Sequence, residues 1–205
     1  MLLDWTDPDL LRELVRLRIV SNDIDGNNSF DALWKRICIS HYKGEESSQY
    51  LIDRSLMRPR FLLNLISQCK SFAINLNHDK ILEEDIEKGL TAYSTDLLTD
   101  IGYEIHDVDN QVDDILYAFI GCRAEIKRNE IHQVLSEYEV DSSFHEKILE
   151  LLLWYGFIGL IDEGEAKYIY NYNYSMKLVS GMIKKKGDID YVINPAFWPA
   201  LQIEN

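Results

Sequence analysis

The stretch that decides the fold is Met57-Arg58-Pro59-Arg60-Phe61-Leu62-Leu63-Asn64-Leu65-Ile66. Proline suits the first turn of a helix, because its fixed φ and missing N–H cost nothing there, so a helix is predicted over residues 58–75. Two arginines flank this proline. Backbone N–H groups at the helix start and the guanidinium forks point the same way, which suits a phosphate group. Spacing alone favours a plainer interpretation, a helix cap with both arginines in solvent.

Hydrophobic residues recur at helical spacing in several other stretches. Asp7 and Pro8 predict the cap and first turn of another helix. Further helices are predicted over residues 29–38, 83–98, 112–121, 127–138, 144–155 and 175–185, with a helix or turn over 48–55 and a final helical turn over 195–201. Polar stretches predict loops at 22–28 and 43–48 and a domain boundary within 102–110.

Residues 157–174 predict a β-hairpin, with a turn at 163–165 and a second strand over 166–174. Alternation in that second strand puts Tyr168, Tyr170, Tyr172 and Tyr174 on one face. Such a row of tyrosines more often packs on a neighbouring helix than binds a ligand. A short strand is predicted over 191–194. Three helices followed by a hairpin over 112–174 is the order of a winged helix-turn-helix.

Composition limits the class of protein. The net charge is −14, and both the first 105 residues (12 basic, 18 acidic) and the remainder (9 basic, 17 acidic) are acidic, so neither half has the positive field of a nonspecific nucleic-acid binder. No apolar run is long enough for a membrane span, and the first residues lack the features of a signal peptide. Three separated cysteines predict reduced, mostly buried thiols in a cytoplasmic protein.

A longer pattern resembles a known family. It comprises residues 53–66 (Asp53-Arg54-Ser55-Leu56 and the stretch quoted above), Ala73, Ile81-Leu82-Glu83-Glu84-Asp85-Ile86 and Ala92-Tyr93-Ser94. This pattern resembles the lid of AAA+/STAND-type P-loop ATPases, particularly the large bacterial ones found beside mobile elements and phage-defence genes. In those proteins a winged helix follows the lid. The resemblance implies a mainly α protein, with a helical lid subdomain over residues 1–105 and a winged helix-turn-helix with a small β-hairpin over 106–205.

The resemblance also implies roles for the two arginines. Arg60 aligns with the sensor-2 arginine, which in the family reaches the γ-phosphate from the lid. Arg58 would assist it or would contact the nucleotide-binding domain. Leu56 or Met57 stands where many relatives have glycine. The phosphate loop GxxxxGK[ST] is missing from this sequence, as is a hydrophobic strand ending in paired acids for Mg²⁺. The chain is therefore expected not to be an enzyme and to hold no cofactor itself, with ATP and Mg²⁺ bound elsewhere in a larger parent ATPase.

Two other kinds of function stay open. One is a DNA-binding winged-helix regulator, in which Lys147 and the run Lys184-Lys185-Lys186 would touch phosphate. The other is a stand-alone adaptor that binds a protein partner. We considered a metal site at His132 and His145, with Glu130 and Glu146 nearby. No established ligand spacing is present there, so we predict no metal. A protein partner or self-association suits the acidic chain better than nucleic acid does, and no membrane contact is expected.

Overall fold

The computed structural model describes residues 5–21, 29–108, 114–187 and 189–203. These residues form two compact units, one ending at Tyr93 and the other beginning at Ser94. Helices dominate, and the strands form small antiparallel sheets, which confirms the mainly α class with a small β-hairpin. The domain boundary between residues 105 and 106 stays a prediction. The loop predicted at 22–28 and the beginning of the helix predicted at 112–121 lie outside the described residues.

The first unit consists of helices and a two-stranded ribbon. Its elements are α1 (Pro8–Val20), α2 (Phe30–Ile37), β1 (His41–Tyr42), β2 (Glu45–Glu46), α3 (Ser47–Asp53), α4 (Pro59–Asn75) and α5 (Glu83–His106), the last of which continues into the second unit. Asp7 caps α1 as predicted, since its carboxylate accepts the Asp9 N–H at 2.9 Å. The stretch predicted as a loop at 43–48 contains half of the ribbon, whose turn uses the positive φ of Lys43 and Gly44.

A polar relay lies in the interior of the first unit. Trp34 and Ser47 are both buried, and the indole Nε1 of Trp34 donates to the Ser47 Oγ at 2.8 Å. The Ser47 hydroxyl in turn donates to the carbonyl oxygen of Ile39. Because the buried donors of Trp34 and Ser47 both have acceptors, the relay joins α2 to α3 without the penalty of an unsatisfied donor.

Helix α5 is longer than predicted. The sequence indicates an end near residue 98 and a polar boundary after it, but the helix continues to His106. The reason is that Leu97, Leu98, Ile101 and Ile105 keep the helical spacing of apolar side chains, and all four are buried. Residues 102–106 of the polar stretch that suggested a boundary therefore belong to the same helix.

The second unit combines short helices with a four-stranded antiparallel sheet. After the end of α5 its elements are a 3-10 helix (Ile115–Phe119), β3 (Glu125–Lys127), α6 (Arg128–Glu137), a 3-10 turn (Ser142–Phe144), α7 (His145–Trp154), β4 (Ile158–Asp162), β5 (Glu165–Lys167), a 3-10 helix (Ile169–Tyr172), α8 (Met176–Lys186), β6 (Asp190–Ile193) and α9 (Trp198–Leu201).

The sheet has the strand order β3-β6-β4-β5. Strands β4 and β5 form the predicted hairpin, and the two residues between them, Glu163 and Gly164, both have positive φ, as tight hairpin turns require. Strand β6 lies between β3 and β4 and pairs with both. The core of this unit contains three fully buried rings in contact: the Phe157 centroid lies 5.2 Å from that of Phe119 and 4.9 Å from that of Phe197.

The predicted tyrosine face is wrong. Strand β5 ends at Lys167, and Tyr168, Tyr170 and Tyr172 belong to a turn and a 3-10 helix rather than to one face of a strand. The cause is local: the Asn171 side chain accepts the Tyr168 N–H at 2.8 Å and closes the helical turn. Tyr168 and Tyr170 are buried with their rings stacked 5.5 Å apart, so they belong to the core.

Cys38 and Cys69 are buried as predicted, Cys122 is half-buried, and none is bonded to another cysteine. Burial raises the pKa of the Cys38 thiol to about 11 and that of Cys69 to about 12, so both stay protonated near neutral pH. Within the described residues, no helix has the length and apolar character needed to cross a membrane.

Candidate nucleotide-sensing site

Helix α4 begins where the sequence predicts. Arg58 is the N-cap residue with extended backbone (φ −110°, ψ 121°), and Pro59 is the first helical residue. An arginine has no acceptor atom, and the Arg58 side chain makes no cap hydrogen bond at this end of the helix. The first N–H groups of α4 therefore have no acceptor from the capping side chain, which is the general arrangement that accommodates an anion.

A strained turn leads into this helix. Leu56 and Met57 both have left-handed backbone, with φ of +50° and +53°. This conformation costs a residue with a Cβ about 1–2 kcal/mol, whereas glycine adopts it readily. Both side chains are buried, which holds the turn in place. One of these two residues stands where many members of the resembled family have glycine, so the backbone here has the form that glycine would provide.

Hydrogen bonds stabilise the same turn within the first unit. The Ser55 hydroxyl donates to the Ile52 carbonyl at 2.7 Å, and the Arg58 N–H donates to the Ser55 carbonyl at 3.0 Å. The Tyr93 hydroxyl, from α5, donates to the Arg54 carbonyl at 2.9 Å. A backbone strained but bonded on several sides is a frequent feature of functional sites.

The structure places Arg58 and Arg60 on one aromatic ring. Their Cζ atoms lie 5.3 and 5.1 Å from the ring centroid of Phe61, within the range of cation–π attraction. Phe61 is buried, Arg58 is half-buried and Arg60 is exposed. The ring therefore orients two guanidinium forks at the start of α4. Two such forks beside a helix N-terminus can donate several charge-assisted hydrogen bonds to one oxyanion.

The lysines predicted to touch phosphate lie on two helices of the second unit. Lys147 is exposed on α7, and Lys184, Lys185 and Lys186 form the last turn of α8. Lys186 donates a hydrogen bond to Asp162 of β4. That hydrogen bond lowers the pKa of the Asp162 carboxyl, so the carboxylate is charged and neutralises part of the lysine run.

The exposed side of α7 is acidic as well. Glu146 pairs with Arg128 of α6 and lies 3.1 Å from the Nε2 of His132. His145 is buried, and its Nε2 lies 3.1 Å from the Val140 carbonyl, so this nitrogen carries a proton. Glu130 instead pairs with Arg123. Within the described ranges, no three histidine, cysteine, aspartate or glutamate side chains are arranged to hold a metal ion.

The sequence did not predict that four basic residues line a common cavity: Arg18, Arg36, Lys70 and Lys80. They line a cavity of about 860 Å³ in the first unit. One signal was present, since the spacing Val15–Arg18–Ile19 recurs as Leu33–Arg36–Ile37. It could not be recognised alone, because a basic residue in the last turn of a helix is common for dipole reasons.

Comparison with known proteins adds two similarities. Residues 9–102, from α1 to near the end of α5, match the model of a family described as the FunZ-associated C-terminal helical domain. The "Putative transposon gamma-delta 80.3 kDa protein" of Escherichia coli (strain K12) is 23% identical over 188 residues, which cover 83% of this chain and 26% of that protein. The chain thus spans about a quarter of the length of this relative. No solved structure matches it.

Proposed function

We propose that this chain is a non-catalytic regulatory and interaction region of a larger P-loop ATPase. In this proposal Arg60, assisted by Arg58, contacts the nucleotide held by a separate ATP- and Mg²⁺-binding domain. The nucleotide state of that domain then controls oligomerisation or the binding of a protein partner. The observation that carries the proposal is the strained Leu56–Met57 turn, which places both arginines at the start of α4, where the N-cap side chain makes no cap hydrogen bond. The geometry suits an oxyanion presented from outside the chain.

The comparisons support the idea of a region within a longer protein. The family model is named for a C-terminal helical domain, and the relative is about four times as long as the segment that matches. The relative's name refers to a transposon, which supports a mobile-element setting for the parent protein; anti-phage defence is the second setting we consider. The name of that relative says nothing about nucleotides. The proposal that the parent protein is an ATPase therefore rests on the resemblance of this sequence to an ATPase lid.

The second unit supports a winged-helix module. Strand β3, helices α6 and α7, and the β4–β5 hairpin follow the order strand, helix, helix, hairpin, and β6 completes the sheet between β3 and β4. Winged helices bind DNA or proteins, so the fold alone does not choose between them. We favour a protein-interaction role because Glu146 and Glu150 lie on the exposed side of α7 beside Lys147.

The size of the native product tests the proposal of a parent ATPase. An antibody raised against this chain is expected to capture, from cells of the source organism, a protein much larger than the 24.0 kDa of the present sequence. Peptide mass fingerprinting of that product should find a phosphate-loop peptide N-terminal to residue 1. A native product of 24 kDa would show a stand-alone adaptor instead.

Duplex DNA is expected not to bind. A mobility-shift titration at about 50 mM salt should show no complex at about 10 µM protein, although this condition strengthens every phosphate contact. The physical reason is the charge of −14 together with the pairing of Lys186 to Asp162. A protein–DNA complex that weakens as salt is added, and that is lost in the double variant Lys184→Glu/Lys185→Glu, would instead support a DNA-binding winged-helix regulator.

A further inference from the structure

A groove of about 860 Å³ in the first unit has no role in the proposed nucleotide response. Its walls are the second half of α1, the second half of α2, most of α4 and the segment 78–81. Leu33, Ala73 and Ile81 form buried parts of its lining, while Ile74 is 64% exposed. An exposed isoleucine beside half-buried aliphatic side chains marks an apolar surface that suits a partner.

The shape of the groove is elongated. The residues of α4 that line it run from Leu63 to Ile74 and recur every three or four positions, so they form one stripe along the helix. At 1.5 Å per residue this stripe is roughly 16 Å long, about three turns of a second helix. The dimensions therefore fit a helical segment better than a compact ion.

The charge of the groove is opposite to that of the chain. Arg18, Arg36, Lys70 and Lys80 line it, and Asp79 is the acidic residue among the lining side chains that the structure describes. Arg18 and Arg36 also interact with other groups of the chain. The protein as a whole has a net charge of −14. A local excess of basic residues around an apolar floor, within an acidic protein, is complementary to a ligand that is both acidic and apolar.

We propose that this groove docks an acidic amphipathic helix of a partner protein, with apolar side chains on the floor and carboxylates toward the four basic residues. The inference rests on the interaction role proposed above and specifies the chemistry of the partner. It does not involve Arg58 or Arg60, which are not among the residues that line the groove.

A nucleotide or free phosphate fits the groove less well. The groove is lined by the last turns of α1 and α2, which end at Val20 and Ile37, and by α4 toward its end at Asn75. Helix C-termini present carbonyl groups with partial negative charge, which repel an anion placed deep between them. Carboxylates on a docked helix would instead meet the ends of long basic side chains at the rim.

A fluorescent peptide titration tests this proposal on the whole chain. The probe is a capped 15-residue peptide of Leu, Ala and Glu whose leucines recur at i, i+3, i+4 and i+7; fluorescence anisotropy is expected to give a Kd of about 10 µM. The double variant Arg36→Glu/Lys70→Glu should weaken binding at least about tenfold, since it replaces two attractions by repulsions. Ile74→Ser should weaken it as well, through the apolar floor.

Lys177→Glu is the matched control, because Lys177 is exposed on α8, outside the groove, and carries the same change of charge. Its affinity should stay within about twofold of the original, and circular dichroism should show every variant folded. Equal binding of a probe with Lys in place of Glu, or no effect of the double variant, would overturn the proposal. So would displacement of the probe by ATP, or self-association that Lys70→Glu abolishes, since these identify a phosphate ligand or a second copy as the occupant. The titration needs no nucleotide domain, so its failure would not contradict the proposed role of Arg60. Likewise, a native product of 24 kDa would not contradict the proposed docking of a helix in the groove.

Discussion

Gly89→Ala is expected to lower the free energy of unfolding by roughly 2–3 kcal/mol, although alanine is the better helix former. Helix α5 crosses α4 at this glycine so closely that an added Cβ would lie 2.6 Å from the Cys69 Sγ. The same Cβ would lie 2.8 Å from both the Cα and the backbone N of Cys69. Backbone atoms cannot turn aside as a side chain can, so the two helices must separate and the packing around them must open.

Gly102→Ala is the matched control in the same helix. A Cβ at Gly102 meets no atom within 4 Å, so this change should instead raise the free energy of unfolding by about 0.5–1 kcal/mol. Urea titrations followed by circular dichroism measure both effects. Adding Cys69→Ala to Gly89→Ala should restore only part of the loss, because it removes the sulfur but not the backbone contacts. Equal effects of the two glycine changes would show that α4 and α5 do not pack as described.

Local signals in the sequence predicted the helix starts well. Asp7 before Pro8, and Pro59 after Arg58, are signals that involve only neighbouring residues, and the structure has α1 and α4 beginning there. Gly156 likewise ends α7 with a positive φ of 71°. Caps and turn residues act within a few positions, so a single sequence contains the information needed to find them.

Features that depend on distant residues, or on two competing local interactions, were not predicted. The position of β6 between β3 and β4 is set by pairings across more than 60 residues in one case and about 30 in the other. The end of β5 at Lys167 depends on the Asn171 side chain closing a helical turn, which competes with the strand alternation of the tyrosines. Strand patterns alone do not show which of these arrangements has the lower free energy.

The candidate site was predicted only in part. The residues Arg58 and Arg60 were identified from their position around Pro59, and the structure adds the shared contact with Phe61. The left-handed backbone at Leu56 and Met57 was not predictable from residue type, because bulky apolar residues rarely adopt it. The basic groove needed the fold itself, since it combines side chains from three helices and a connecting segment.

Loss of Arg60 is expected to have the largest functional effect. If a separate domain of the parent protein binds ATP, Arg60→Ala should remove a charge-assisted contact to the γ-phosphate and lower ATP turnover by roughly a hundredfold. Arg60→Lys should recover little, because an ammonium group lacks the planar fork that fits phosphate. Arg58→Ala should have a smaller effect, in keeping with an assisting role. Because Arg60 is exposed and lies in the first turn of α4, the two Arg60 changes should leave the fold intact.

The most direct measurement compares ATP turnover and ATP-dependent oligomerisation of the native, full-length protein with those of its Arg60→Ala variant. Arg16→Ala serves as the control, since Arg16 is another arginine of the first unit and pairs with Glu13 on the surface of α1. The account predicts that Arg60→Ala loses both responses while Arg16→Ala keeps them. Unchanged turnover and unchanged assembly in the Arg60→Ala protein would contradict it.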